Sequence, residues 1–269
     1  MKKLVLFFAA VLLTAISSNL YAQNTGETPT PGSSWAYSVM DNGNTYTWSV
    51  TVGDLVTDAG VDAVLSSTSG AAITIAWAST VTIGDWYYVH VVEDDGSCTN
   101  EKVLPVQITA SQFYLSILAS PTNTGCYDGP VAVTLDGNTP KYNHGTATVS
   151  YDVTPHGMGT ATDYSFDIAE LFAPTAGLSS DATVTSGNGT VIGGTVTVTN
   201  ANAVTLQFII TNATLYDNST DPNGTAADFN QKITHSGGIN SHGLTDNGTG
   251  PADANTNVAR PHTTTIGTN

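Results

Sequence analysis

Asp217-Asn218-Ser219-Thr220-Asp221-Pro222-Asn223-Gly224-Thr225-Ala226-Ala227-Asp228 sets oxygen-bearing side chains at the first, third, fifth, seventh and twelfth places of one short stretch. Calcium collects oxygen ligands from loops spaced in this way. Asp217, Ser219, Asp221, Asn223 and Asp228 are therefore the candidate metal ligands, and calcium is the one cofactor the sequence raises. Pro222 stands where such a loop needs a sharp-turn glycine, and Asp228 where it needs a bidentate Glu. Helical flanks are missing. The same residues also make an ordinary polar surface loop.

Other chemistry is sparse. His90, His144, His156, His235, His242 and His262 show no zinc spacing. There is no Gly-x-Ser-x-Gly and no Asp-Thr-Gly or Asp-Ser-Gly. A glycosidase pair of carboxylates is defined by its separation in space, which a sequence does not carry. No catalytic residue is assigned, and an enzyme is not expected. Trp86 and Tyr88 share one parity of an alternating run, and with Trp35 and Tyr37 they are a candidate glycan-stacking platform. Cross-strand packing is the competing reading. Cys98 and Cys126 are the chain's two cysteines. In an exported chain an even count favours a disulfide.

Export is expected from the first residues. Lys2 and Lys3 precede an apolar run over 4–16, and Leu20-Tyr21-Ala22 offers a cleavage site before Gln23. This is the pattern of a signal peptide over 1–22. Without Lys2 and Lys3, four basic residues face 22 acidic ones. Such a surface repels nucleic acid, whose binding rests on Lys and Arg neutralising phosphates. No later run is apolar enough for a membrane-spanning helix. The expected location is secreted and associated with the cell surface.

The elements that carry these residues read as strands. Val, Ile, Thr, Tyr and Trp alternate with polar residues, and Thr, Asn, Gly, Ser and Asp fill the gaps. A flexible leader is expected over 23–32, then strands over 34–39, 45–52, 71–77, 85–93 and 101–109. Trp48, Trp77, Tyr87, Val89 and Val91 fall on inward parities and are the expected core. A connector over 111–130 precedes a second set, with strands over 131–135, 146–153, 164–168, 191–199 and 204–211. The last two are expected to form a hairpin through Asn200–Asn202. Residues 169–172 could make one helical turn, and short strands are expected near 229–234 and 262–266. Period-two runs broken by regular turn signals point to all-β sandwiches.

Three motifs in order carry a resemblance: "NTYTWSVTVGD" over 44–54, "ITIAW" over 73–77 and "GDWYYVHVVEDDGSC" over 84–98. They resemble the PKD-like and immunoglobulin-like domains of surface proteins from gliding Gram-negative bacteria and their relatives. The likeness covers about residues 33–109, and the second half shares only its general character. It implies two immunoglobulin-like β-sandwich domains in tandem, over 33–110 and 131–269. It also implies a place at the cell surface, in a fibre or matrix; with no catalytic motif, a non-enzymatic structural or adhesion protein is expected, its subunits joined by β-strand addition. The leader (23–32) and the tail (257–269) are the expected donors. Expected partners are other copies, other surface proteins or glycans. A secreted carbohydrate-binding module is the alternative.

Overall fold

A computed structural model describes residues 25–159, 161–174, 177–200, 203–217 and 225–260. The signal-peptide expectation (1–22) and the strand expected near 262–266 lie outside the described residues.

Two sandwiches follow one another. The first is built from β1 (Ser34–Ser38), β2 (Thr45–Val52), β3 (Ala63–Leu65), β4 (Ala72–Trp77), β5 (Trp86–Asp94) and β6 (Thr99–Gln107). One sheet runs β1-β4-β3 and the other β2-β5-β6, all neighbours antiparallel. Alternation explains the layering. On β2, Tyr46, Trp48 and Val50 are buried while Thr47 and Ser49 face solvent. On β4, Ile73, Ile75 and Trp77 are buried. Tyr87, Val89 and Val91 of β5 meet them, with Tyr87 edge-on to Trp77 at 5.0 Å. The Trp48 indole N–H donates to the Gly70 carbonyl at 2.7 Å, so burying that ring leaves its donor satisfied.

The second sandwich uses β7 (Tyr114–Ala119), β8 (Ala132–Asp136), β9 (Thr139–His156), β10 (Tyr164–Ala173), β11 (Leu178–Ser186), β12 (Gly189–Ile192), β13 (Thr195–Val198), β14 (Val204–Tyr216), β15 (Phe229–Asn240) and β16 (Asp253–Val258). One sheet runs β11-β14-β9-β7, with β8 also on β9, and the other β12-β13-β10-β15-β16. Tyr151, Phe166, Phe208, Leu206, Ile210 and Ile233 fill the space between them.

Several expectations are corrected. β13 and β14 lie in different sheets, so the expected hairpin through Asn200 does not form. Asn200, at φ +67°, instead turns the chain from one layer to the other. Gly193 and Gly194 break the run 191–199 into β12 and β13. Residues 169–172 are strand, held by β15, because Ala169 and Leu171 pair with Thr234 and Lys232. The segment 111–130 is more than a connector: it contributes β7 to the second sandwich. The described part of the leader is built in, with Thr30 buried.

The sandwiches join at a tight contact. Ser34 N–H donates to the His242 carbonyl at 2.8 Å, and Ser111 Oγ donates to the Thr245 carbonyl at 2.8 Å. Gly243 sits here at φ +76°, where a Cβ would lie 2.7 Å from the Gly32 carbonyl oxygen. Only glycine meets both conditions.

Candidate functional site

An immunoglobulin sandwich places strands A, B, E and D in one sheet and C, F and G in the other. Here β1-β4-β3 reproduces B-E-D and β2-β5-β6 reproduces C-F-G. Among the described residues no strand fills the A position beside β1. The outer edges of β1 and β6 therefore flank a cleft of about 620 Å³. Trp48, Val89 and Val91 form its floor, β1 residues Ala36 to Val39 and β6 residues Lys102 to Leu104 its walls. A smaller extension of about 290 Å³ continues to Met40, Asn42, Tyr46, Glu93 and Asn100.

The leader closes the other end of the cleft. Gln107 N–H donates to the Glu27 carbonyl at 3.0 Å, and Thr109 N–H to the Pro29 carbonyl at 2.8 Å. Partners that rise together make this a parallel pairing. Tyr37 O–H fastens the same segment through the Gly26 carbonyl at 2.6 Å. Backbone groups on a strand alternate in direction, so the outward positions of β6 beyond Gln107 are Pro105, Val103 and Glu101. Pro105 has no N–H to offer. The leader pairing stops there, and the chain turns through a Thr28 N–H to Thr25 carbonyl bond of 3.0 Å. Among the described residues nothing pairs with the edge from Glu101 to Val103.

The mouth of the cleft is polar. Glu93 accepts from Asn44 Nδ2 at 2.7 Å and Asn42 Nδ2 at 3.3 Å. These amide donors, Asn44 first, hold its carboxyl below the usual range, with Tyr46 and the nearby Lys102 adding to the effect. Lys102 is exposed and makes no ion pair among the described residues.

One arrangement has the look of catalytic machinery. On the outer face of β2-β5-β6, Thr51 Oγ1 lies 3.0 Å from His90 Nε2, and His90 Nδ1 lies 2.7 Å from Glu101 Oε1. Sequence reading missed it because the three residues are brought together only by the strand register. Its polarity is wrong for a nucleophile, because Thr51 gives its proton to the Asp54 carbonyl at 2.6 Å. The hydroxyl thus meets the ring as an acceptor, whereas a base-activated nucleophile donates to its base. His90 and Thr51 are also buried. The trio is a cross-strand clamp.

The remaining candidates fall apart in space. Trp35 and Tyr37 are buried in the core from β1, while Trp86 is 45% exposed and Tyr88 half-buried on the outer face of the opposite sheet. The expected four-ring glycan platform does not form, because the parity of β1 turns its two rings inward. Of the calcium candidates, Ser219, Asp221 and Asn223 lie outside the described residues. Asp217 takes the Lys141 ammonium at 2.9 Å, and Asp228 accepts the Arg260 backbone N–H at 3.3 Å. Among the described residues no group of three or more His, Cys, Asp or Glu could hold a metal. Cys98 and Cys126 are free, exposed thiols, which corrects the expected disulfide. Cys98 sits at the tip of the β5–β6 hairpin, and β6 carries the chain about 30 Å from it before the second sandwich begins. A disulfide needs Cα atoms within about 7 Å.

The fold defines a tandem immunoglobulin-like β-sandwich protein. No protein-family model matches the chain, and no curated protein matches it. Among solved structures it is similar to a chimeric titin Z1Z2 carrying a KLER peptide from decorin. That match has 9% identity, a TM-score of 0.38, and coverage of 89% of this chain and 94% of that one. A titin Z1Z2-Z1Z2 tandem carrying a GRGDS peptide from fibronectin matches at 10% identity and a TM-score of 0.24, covering 90% and 96%. Among the described residues no helix is long and apolar enough to cross a membrane.

Proposed function

We propose that this is an exported, non-enzymatic structural or adhesive protein whose first sandwich accepts an extended strand along the open β6 edge. It would serve as a subunit of a surface fibre or matrix. The observation that carries the reading is that, among the described residues, no strand fills the A position beside β1 and none pairs with the Glu101–Val103 edge of β6, next to an apolar floor. A strand added there gains main-chain hydrogen bonds for affinity and side-chain pockets for selectivity. Export is supported by the Lys2-Lys3 start and the apolar run after it, and a surface role by the resemblance over 33–109.

Of the two donors expected from the sequence, residues 25–32 of the leader and 257–260 of the tail are described, and both of these parts are engaged. The leader is engaged by Gln107 and Thr109 of its own chain, and the described start of the tail is strand β16 and the Arg260 anchor. The acceptor reading is tested by incubating the signal-cleaved chain over a concentration series and imaging it by electron microscopy. Ordered polymers are expected. Monodisperse particles at every concentration, with no capture of other surface proteins, would remove it.

A further inference from the structure

The two outer ends of the molecule are complementary, and we infer that the strand taken up by β6 of one copy is β8 of the next. This rests on the assembly reading above. β9 runs from Thr139, at the far end of the second sandwich, to His156 beside Tyr114 at the joint. The β8–β9 hairpin therefore stands at one pole and the open start of β6 at the other. All five β8 residues are exposed, Val133 at 57% and Leu135 at 72%.

The backbone phases agree. A two-residue turn, Gly137-Asn138, joins Asp136 to Thr139, with Gly137 at φ +61°. In such a hairpin the flanking pair is the hydrogen-bonded one. Leu135 and Val133 thus direct their backbone groups away from β9, and Pro140, which has no N–H to give, faces Leu135. On β6 the outward groups are those of Pro105, Val103 and Glu101. An antiparallel register with Leu135 opposite Val103 sets Val133 opposite Pro105 and Asp136 opposite Lys102.

The side chains agree as well. Leu135 and Val133 would extend the exposed apolar strip of Val103, Pro105 and Trp86 on the outer face. The small Ala132 and Thr134 would lie toward the cleft. Asp136 would meet Lys102, which makes no ion pair among the described residues, whereas Lys141 and Lys232 hold Asp217 and Asp253. On a chain of formal charge −16 this ammonium is a selective partner for a carboxylate. A contact between different surfaces at opposite poles is head-to-tail and extends into a filament.

The test uses the full signal-cleaved chain, followed by sedimentation velocity and electron microscopy, with near-ultraviolet circular dichroism to verify folding. Leu135→Pro deletes the outward N–H and spares the bonds to β9, so assembly should be lost. Asp136→Lys and Lys102→Asp each oppose like charges and should raise the concentration needed for assembly by about tenfold. Combining the two should restore it. Assembly unchanged in Leu135→Pro and in Asp136→Lys would overturn β8 as the donor and leave the assembly reading standing. A parent chain that never assembles would overturn both.

Discussion

His242 lies flat against Trp35, with ring centroids 4.2 Å apart and planes 18° from parallel. The pair joins a loop of the second sandwich to the first strand of the first, beside the bond from Ser34 N–H to the His242 carbonyl. The ring also bonds the Ser34 carbonyl through Nδ1 at 3.2 Å, so His242→Ala should cost about 1–2 kcal/mol of stability, the sum of a stacked pair and this modest hydrogen bond. Gly243→Ala should cost more, since its Cβ would strike the Gly32 carbonyl oxygen. Urea denaturation measures both. Wild-type midpoints for the two variants would show that the joint is not as described.

The Thr51–His90–Glu101 clamp makes a separate prediction. His90→Ala should lower stability by about 1–3 kcal/mol, because the facing polar groups lose their partner. It should leave the rate of chromogenic ester hydrolysis at the buffer background, as in the parent. Turnover by the parent that Thr51→Ala abolishes would make the trio a catalytic site.

Much of this fold is legible in the sequence where one face of a strand is wet and the other dry. β4 alternates without a break, and β2 and β5 do so apart from the buried Thr51 and His90, so Trp48, Trp77 and Tyr87 could be placed by parity alone. β11 carries the same alternation in small residues, Ser, Asp, Ala and Thr, and gives too little contrast to be seen. The β13–β14 crossing is hidden for a different reason. A turn signal at Asn200 marks a reversal but does not say whether the next strand stays in its sheet. The open edge was legible only in outline. Strand addition could be expected from the class of domain, but the vacant A position and the stop at Pro105 depend on which strands pair. The disulfide expectation failed because counting cysteines says nothing about the strand length between them.

Acid should destabilise the first sandwich. The carboxyls of Asp54, Glu93 and Asp95 are all held below their ordinary range by hydrogen bonds, from Thr57 N–H, Asn44 and Cys98 N–H respectively. A lowered folded pKa stabilises the fold above the unfolded value, about 4 for these groups, and that contribution is lost as pH falls through the folded value. Thermal melts from pH 7 down to about pH 3 should show Tm falling below about pH 4. Glu93→Gln should flatten the fall. A Tm indifferent to acid would contradict the assigned hydrogen bonds.

Both thiols should be accessible. Cys98 and Cys126 are exposed, so the folded protein should react with Ellman's reagent at two equivalents per chain without denaturant. Reaction only after reduction would restore the disulfide.

The central claim is that the outer edge of β6 between Glu101 and Val103 is an acceptor for a strand. Hydrogen–deuterium exchange on peptides spanning Thr99–Gln107 addresses it without reference to the donor. In dilute monomer the Glu101 and Val103 amides should exchange fast, and in the assembled protein they should be strongly protected. Equal exchange in the two states, with polymers plainly present, would place the contact elsewhere and contradict the account.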